Sequence, residues 1–202
     1  MKKVLMFAAL IGSVVMGAAE LDLSMYKPVD TARNMAKNGG FEMFSPGKKF
    51  MYYWGRTSDF FIWDTTVKHS GKASAKLGNV PKSYTSMAMN LGKIEDLKND
   101  ILIRGWMKYE NISSQTRSAS PFIGFWTIDE KYKNSLTVPL IKVPEGSGDW
   151  QMFETIVKID DFKAKCAKYP KKPVYCSFRV NIYMQPGWVW LDDVEIIPLE
   201  KK

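Results

Sequence analysis

The sequence predicts an all-β fold, an antiparallel β-sandwich of the jelly-roll kind, on three observations. Short runs rich in aromatic and β-branched residues recur, separated by Gly, Pro, Asn, Asp and Ser. The helical period is hard to find beyond the Gly39-Gly40 pair, so crossover helices that would build a parallel sheet are missing. Apolar bulk is ample: 46% of the 202 residues are hydrophobic, with 7 Trp, 9 Tyr and 11 Phe. That excludes a disordered chain and suffices for one domain of roughly 150 to 180 residues.

Residues 1–19 read as a secretory signal peptide. Lys2 and Lys3 precede an uncharged apolar stretch, Val4 to Val15, and Met16-Gly17-Ala18-Ala19 supplies small residues for cleavage before Glu20. About 15 apolar residues is short for a span of roughly 20, and no later stretch is long and apolar enough to cross a bilayer as a helix. Residues 20–37 form a mixed N-terminal segment in which Val29 to Lys37 is compatible with a short helix. Strands are then expected at Phe50–Arg56, Phe60–Lys68, Ala73–Leu77, Thr85–Leu91, Ile101–Asn111, Phe122–Asp129, Thr137–Val143, Trp150–Ile159, Val174–Met184 and Trp188–Ile197. Asp160 to Tyr169 suits one or two helical turns inside a long connection. With no repeat and no low-complexity linker, 38–202 reads as one domain.

Strand periodicity assigns faces. From Val174 to Met184, Cys176, Phe178, Val180, Ile182 and Met184 alternate with Tyr175, Ser177, Arg179, Asn181 and Tyr183. The first set belongs in a core, and the second, polar but carrying two Tyr and an Arg, suits a face meeting both water and a sugar. Between Ile101 and Glu110 the faces are ambiguous, because Trp106 falls in the otherwise charged set.

Composition limits the chemistry. One His and two Cys leave no His-rich or ordinary Cys–His zinc site. His69, before Ser70-Gly71, reads as a turn or sheet-edge residue rather than a general base, and neither Ser70 nor Ser74 has a nucleophile-elbow context. Asp59, Asp64, Asp129, Glu130, Asp160 and Asp161 offer carboxylates, but no spacing singles out an acid and a nucleophile. The expectation is a protein that is not an enzyme. Removing residues 1–19 takes two Lys and no acid from 29 basic and 21 acidic residues, leaving a net charge of +6. Export makes nucleic acid a poor partner for that charge and an anionic glycan or envelope polymer a better one. Export also places Cys166 and Cys176, ten positions apart, where a disulfide closing a short loop is expected.

Five segments in order carry a resemblance: Asn38-Gly39-Gly40-Phe41-Glu42, His69-Ser70-Gly71-Lys72-Ala73-Ser74, Ile103-Arg104-Gly105-Trp106, Gly148-Asp149-Trp150-Gln151-Met152-Phe153 and Trp190-Leu191-Asp192-Asp193-Val194. Together they resemble the landmarks of β-jelly-roll carbohydrate-binding modules of the galactose-binding-domain-like (CenC-type) family. Members typically begin with Asn-Gly-x-Phe-Glu, carry a Ser-Gly-x-x-Ser turn and end in an Asp-Asp-Val strand. The resemblance covers residues 38 to 199 and implies a structural Ca²⁺ held by the opening Glu, a carbonyl of the Ser-Gly turn and an Asp of the closing pair. Carried over, these are Glu42, the carbonyl of Lys72 and Asp192. Asp193 is the alternative, because a bulge exchanges which of the pair faces inward. An all-oxygen set of this kind suits Ca²⁺.

The same resemblance implies non-catalytic binding of a polysaccharide or oligosaccharide through aromatic platforms. Flat rings meet the C–H faces of pyranoses at small ordering cost, and Trp54, Trp126, Arg179 and Tyr183 are the residues expected to touch it. The alternative class is a structural or protein-binding envelope component, since aromatic residues also serve protein interfaces. Either way, the expected location is periplasmic or extracellular.

Overall fold

The computed structural model describes residues 23–29, 34–45, 50–56, 61–80, 82–113, 121–183 and 185–202. The signal-peptide segment 1–19 therefore lies outside the described residues. Two antiparallel sheets face each other. The first carries β11 (Gly146–Val157), β8 (Asp100–Ile112), β13 (Trp188–Lys201), β6 (Ser74–Gly78) and β5 (Phe61–Asp64) in that order, with β1 (Tyr26–Pro28) also on β13. The second runs β10 (Ser135–Lys142), β9 (Phe122–Ile128), β12 (Tyr175–Tyr183), β7 (Tyr84–Lys93) and β4 (Gly55–Arg56). A small hairpin pairs β2 (Phe44–Ser45) with β3 (Phe50–Met51). This is the β-sandwich jelly roll that the strand pattern predicts.

Alternation makes the core. From the second sheet Met87, Met89, Ile123, Phe125, Phe178, Val180 and Ile182 point inward; from the first, Ala75, Leu77, Ile101, Ile103, Met107, Val189, Leu191 and Ile196 meet them. The long connection after β11 holds one helix, α1 (Ile159–Lys168), which buries Ile159, Phe162 and Cys166. Its Phe162 ring meets Phe125 edge-on at 5.1 Å.

Five details depart from the sequence reading. The strand expected at Phe50–Arg56 is broken by a turn at 52–53 into β3 and β4, which pair in different sheets. Residues 34–37 are not helical, because they run along the gap on β13 between β6 and β1: the Met35 amide donates to the Ile196 carbonyl, and Asn34 Oδ1 accepts from Ala36 and Ile196. β5 stops at Asp64, whose carboxylate accepts the amides of Thr66 and Val67 and turns the chain. Trp54 is a core residue, 2% exposed, its indole N–H donating to the carbonyls of Lys37 and Asn38 at 3.1 Å. Finally, Cys166 and Cys176 stand as two free, buried thiols rather than as the expected bond. They pack as small apolar groups on the inward sides of α1 and β12, where burial raises both above the ordinary thiol pKa.

Candidate functional site

The outer face of the five-stranded sheet follows from register. On β12, Tyr175, Ser177, Arg179, Asn181 and Tyr183 point away from the core, as their alternation predicts. Opposite them on β9 stand Ile128, Trp126, Gly124 and Phe122, and on β7 stand Asn90, Ala88, Ser86 and Tyr84. A Cβ at Gly124 would lie 2.3 Å from the Val138 carbonyl oxygen, so only glycine permits β10 to approach this closely.

Three ring groups line this face. At one end Tyr132, 66% exposed in the β9–β10 loop, stacks on Tyr175 at 5.5 Å. In the middle the Arg179 guanidinium lies 4.0 Å over the Trp126 ring. At the other end Tyr183 stacks between Tyr84 at 5.9 Å and Phe122 at 6.5 Å. Tyr175 and Tyr183 are eight residues apart on one strand, a separation of about 26 Å at roughly 3.3 Å per residue. Such a row suits an extended chain better than a single ring.

The polar groups between the rings are not all satisfied. Arg179 Nε and Asn181 Nδ2 are buried without a hydrogen-bond partner. Asn181 is 2% exposed, and its outer-face neighbours Phe122 and Ser86 are also buried, so the face is enclosed at this level rather than open. No carboxylate among the described residues pairs with Arg179, and burial pulls its pKa below the ordinary guanidinium value against the opposing influence of Tyr183 and Tyr84.

Of the four expected platform residues, then, the structure brings Trp126, Arg179 and Tyr183 together and assigns Trp54 to the core, where it packs on Phe41 and Phe178. Tyr84 and Phe122 complete the row and were missed. Their signal is alternation: Thr85 and Met87 point inward on β7, as do Ile123 and Phe125 on β9, which leaves Tyr84 and Phe122 outward.

The expected metal residues converge as positions. Glu42 and Asp192 both meet the 69–72 turn, and a bulge between Asp192 and Glu195 buries Asp192 while leaving Asp193, at φ +49°, partly exposed. The turn offers them amide hydrogens. Both Glu42 oxygens accept from the Lys72 N–H at 2.8 and 3.0 Å. Asp192 Oδ2 accepts from the His69 and Ser70 amides at 2.9 and 3.1 Å. Burial raises Asp192 to about 6, against the lowering effect of these amides. At Gly71, φ +58°, a Cβ would fall 2.0 Å from Glu42 Oε1, which explains the glycine. Among the described residues no group of three or more His, Cys, Asp or Glu is placed to hold a metal ion. The carboxylates suit Ca²⁺ in kind, and in this structure they accept amide hydrogens of the turn.

The outer face of the six-stranded sheet is also rich in Trp, and the charges beside those rings are paired. The Lys76 ammonium sits 4.4 Å over Trp188, 4.7 Å over Trp190 and 3.8 Å from Asp64. Asp64 accepts the Trp190 indole N–H at 2.9 Å. His69 stacks on Trp106 at 4.0 Å and bonds Asp193 at 2.8 Å. Beside it a cavity of about 430 Å³ is walled partly by Arg104 and Glu195, which pair with each other, and by Trp106, Met152 and Asp193.

No protein-family model matches this chain, and no curated protein matches it. Solved structures do resemble it. The N-terminal CBM22-1–CBM22-2 tandem domain of Paenibacillus barcinonensis Xyn10C aligns with a TM-score of 0.51 at 12% identity, over 81% of this chain and 44% of that one. The enzymatically active domain of bacteriophage CBA120 tailspike protein 4 aligns at 0.51 and 12% identity, over 83% of this chain and 21% of that one. The chain thus spans less than half of either. These likenesses establish the fold, the β-jelly roll of carbohydrate-binding modules; the same fold sits within a tailspike enzyme, so function must be argued from the site.

Proposed function

We propose that this chain is an exported, non-catalytic carbohydrate-binding protein that lays an extended polysaccharide along the outer face of the five-stranded sheet. The observation that carries the reading is the row of rings Tyr132–Tyr175, Trp126 and Phe122–Tyr183–Tyr84 on the outer side of one sheet, exposed at Tyr132 and Tyr84 and enclosed at Phe122, with Arg179 and Asn181 between them. Rings of that kind cover the apolar faces of pyranoses, and the polar groups between them answer hydroxyls. Among the described residues the face carries no pair of carboxylates on opposite sides of a cleft, as glycosidic cleavage would use. Non-catalytic binding is the simpler role for what is there.

Affinity electrophoresis of the mature protein through gels holding neutral and acidic polysaccharides tests the reading. Retardation by one polymer that survives high salt, together with loss of about tenfold or more in affinity for Trp126→Ala, is the expected result. No retardation in any gel would leave the structural or protein-binding envelope role in its place.

A further inference from the structure

The two unpartnered groups on the proposed glycan face share a polarity. Arg179 Nε and Asn181 Nδ2 are both hydrogen donors, both are buried, and both lie on the outer face of β12 two residues apart, on the order of 7 Å along the strand. Here the groups around Arg179 are the Trp126 ring and the tyrosines 84 and 183. Four other cations among the described residues do have carboxylate partners: Arg104 pairs with Glu195, Lys108 with Asp149, Lys158 with Asp100 and Lys76 with Asp64. A half-buried guanidinium with no anion among the described residues is costly unless a ligand supplies one. Its planar fork matches a planar carboxylate, and its central carbon lies 4.0 Å from the centroid of the Trp126 ring.

We propose that the polysaccharide held on this face is acidic, and that a uronic-acid carboxylate accepts hydrogen bonds from Arg179 with Asn181 beside it. The inference rests on reading the face as a glycan site, and goes beyond it by naming the chemical class of the sugar. The net charge of +6 after loss of residues 1–19 draws the same polymers in from a distance.

The test uses the full mature protein with polygalacturonate, alginate and hyaluronan, each beside its carboxyl-reduced neutral product, and dextran sulfate as a bare-charge control. The expected result is that one uronic-acid polymer binds at least about tenfold tighter than its reduced product, and that this preference persists at high salt. Arg179→Gln should lose about tenfold or more, Arg179→Lys less, and Lys201→Gln, an exposed cation on the other sheet, under about twofold. Asn181→Ala provides a second variant should Arg179→Gln fold poorly, and should lose a few-fold. Equal binding of acidic and reduced polymers, or binding of a neutral polymer alone, would overturn the acidic ligand and leave the glycan reading standing. Equal losses for Arg179→Gln and Lys201→Gln, or equal retention by dextran sulfate, would reduce the effect to net charge and overturn it as well. No binding to any polymer would remove both readings together.

Discussion

The two outer faces of this sandwich use the same residue types to opposite ends. Each sets a cation against tryptophan: Lys76 over Trp188 and Trp190 on the six-stranded sheet, Arg179 over Trp126 on the five-stranded one. On the first face the cluster is closed. Lys76 has Asp64, Trp190 gives its indole hydrogen to Asp64, and Trp190 is 3% exposed. On the second face the donors stay unpaired while rings at 50% and 66% exposure, Tyr84 and Tyr132, flank them. An aromatic–cation cluster is therefore informative about function only once its hydrogen bonds are accounted for: a satisfied cluster holds the sheet together, and an unsatisfied one awaits a partner.

The comparison breaks or sharpens on measurable differences. The largest effect is expected at Trp190→Ala, which removes a buried indole and orphans one Asp64 oxygen. It should cost about 3–5 kcal/mol by urea unfolding, with sugar binding unchanged in the folded fraction. Trp54→Ala should resemble it, since Trp54 is equally buried; a binding defect without destabilisation at either position would contradict the assignment.

Asp64 comes next. Burial alone would raise its carboxyl, but the Trp190 indole, the Thr66 hydroxyl and the amides of Thr66 and Val67 outweigh that and lower it from 3.8 to about 2. A depressed carboxylate contributes stability above its unfolded pKa and loses it as pH falls through the folded one. The parent protein should thus lose about 2 kcal/mol more than Asp64→Asn between pH ~4 and ~2. Parallel acid-unfolding curves for the two would remove Asp64 from the closed cluster.

Trp126→Ala should cost under about 1 kcal/mol of stability while abolishing retention in the gels, the reverse of Trp190→Ala. The smallest effect is expected from calcium. Because Glu42 and Asp192 already accept amide hydrogens from the 69–72 turn, millimolar Ca²⁺ or EDTA should leave the thermal midpoint within about a degree. A clear rise reversed by EDTA would mean that the turn rearranges to give carbonyl oxygens to an ion, as the family resemblance implies.

Local alternation was enough to read β12. Its inward set Cys176, Phe178, Val180 and Ile182 and its outward set Tyr175, Arg179 and Tyr183 are as the sequence orders them. The same logic placed most of the described strands and the helix α1, because side-chain period and turn residues are local properties of the chain. Asp192 and Asp193 were legible as neighbours of the Ser70-Gly71 turn only through the resemblance, since 122 residues separate Asp192 from Ser70.

What the chain determined by itself is the all-β class, the strand faces and the polar-aromatic character of one side of β12. Only the tertiary structure decided which aromatics are available. Trp54 follows two tyrosines within an expected strand, a setting indistinguishable in sequence from an exposed platform, yet the packing of β12 and the 37–41 segment around it makes it core. The state of the cations was hidden in the same way. Whether Arg179 has a counter-charge depends on which strands lie beside β12, and that pairing sets it beside Gly124 and Ala88, 55 and 91 positions away in the chain. Hydrogen-bond satisfaction is a property of assembled neighbours, and no local pattern encodes it.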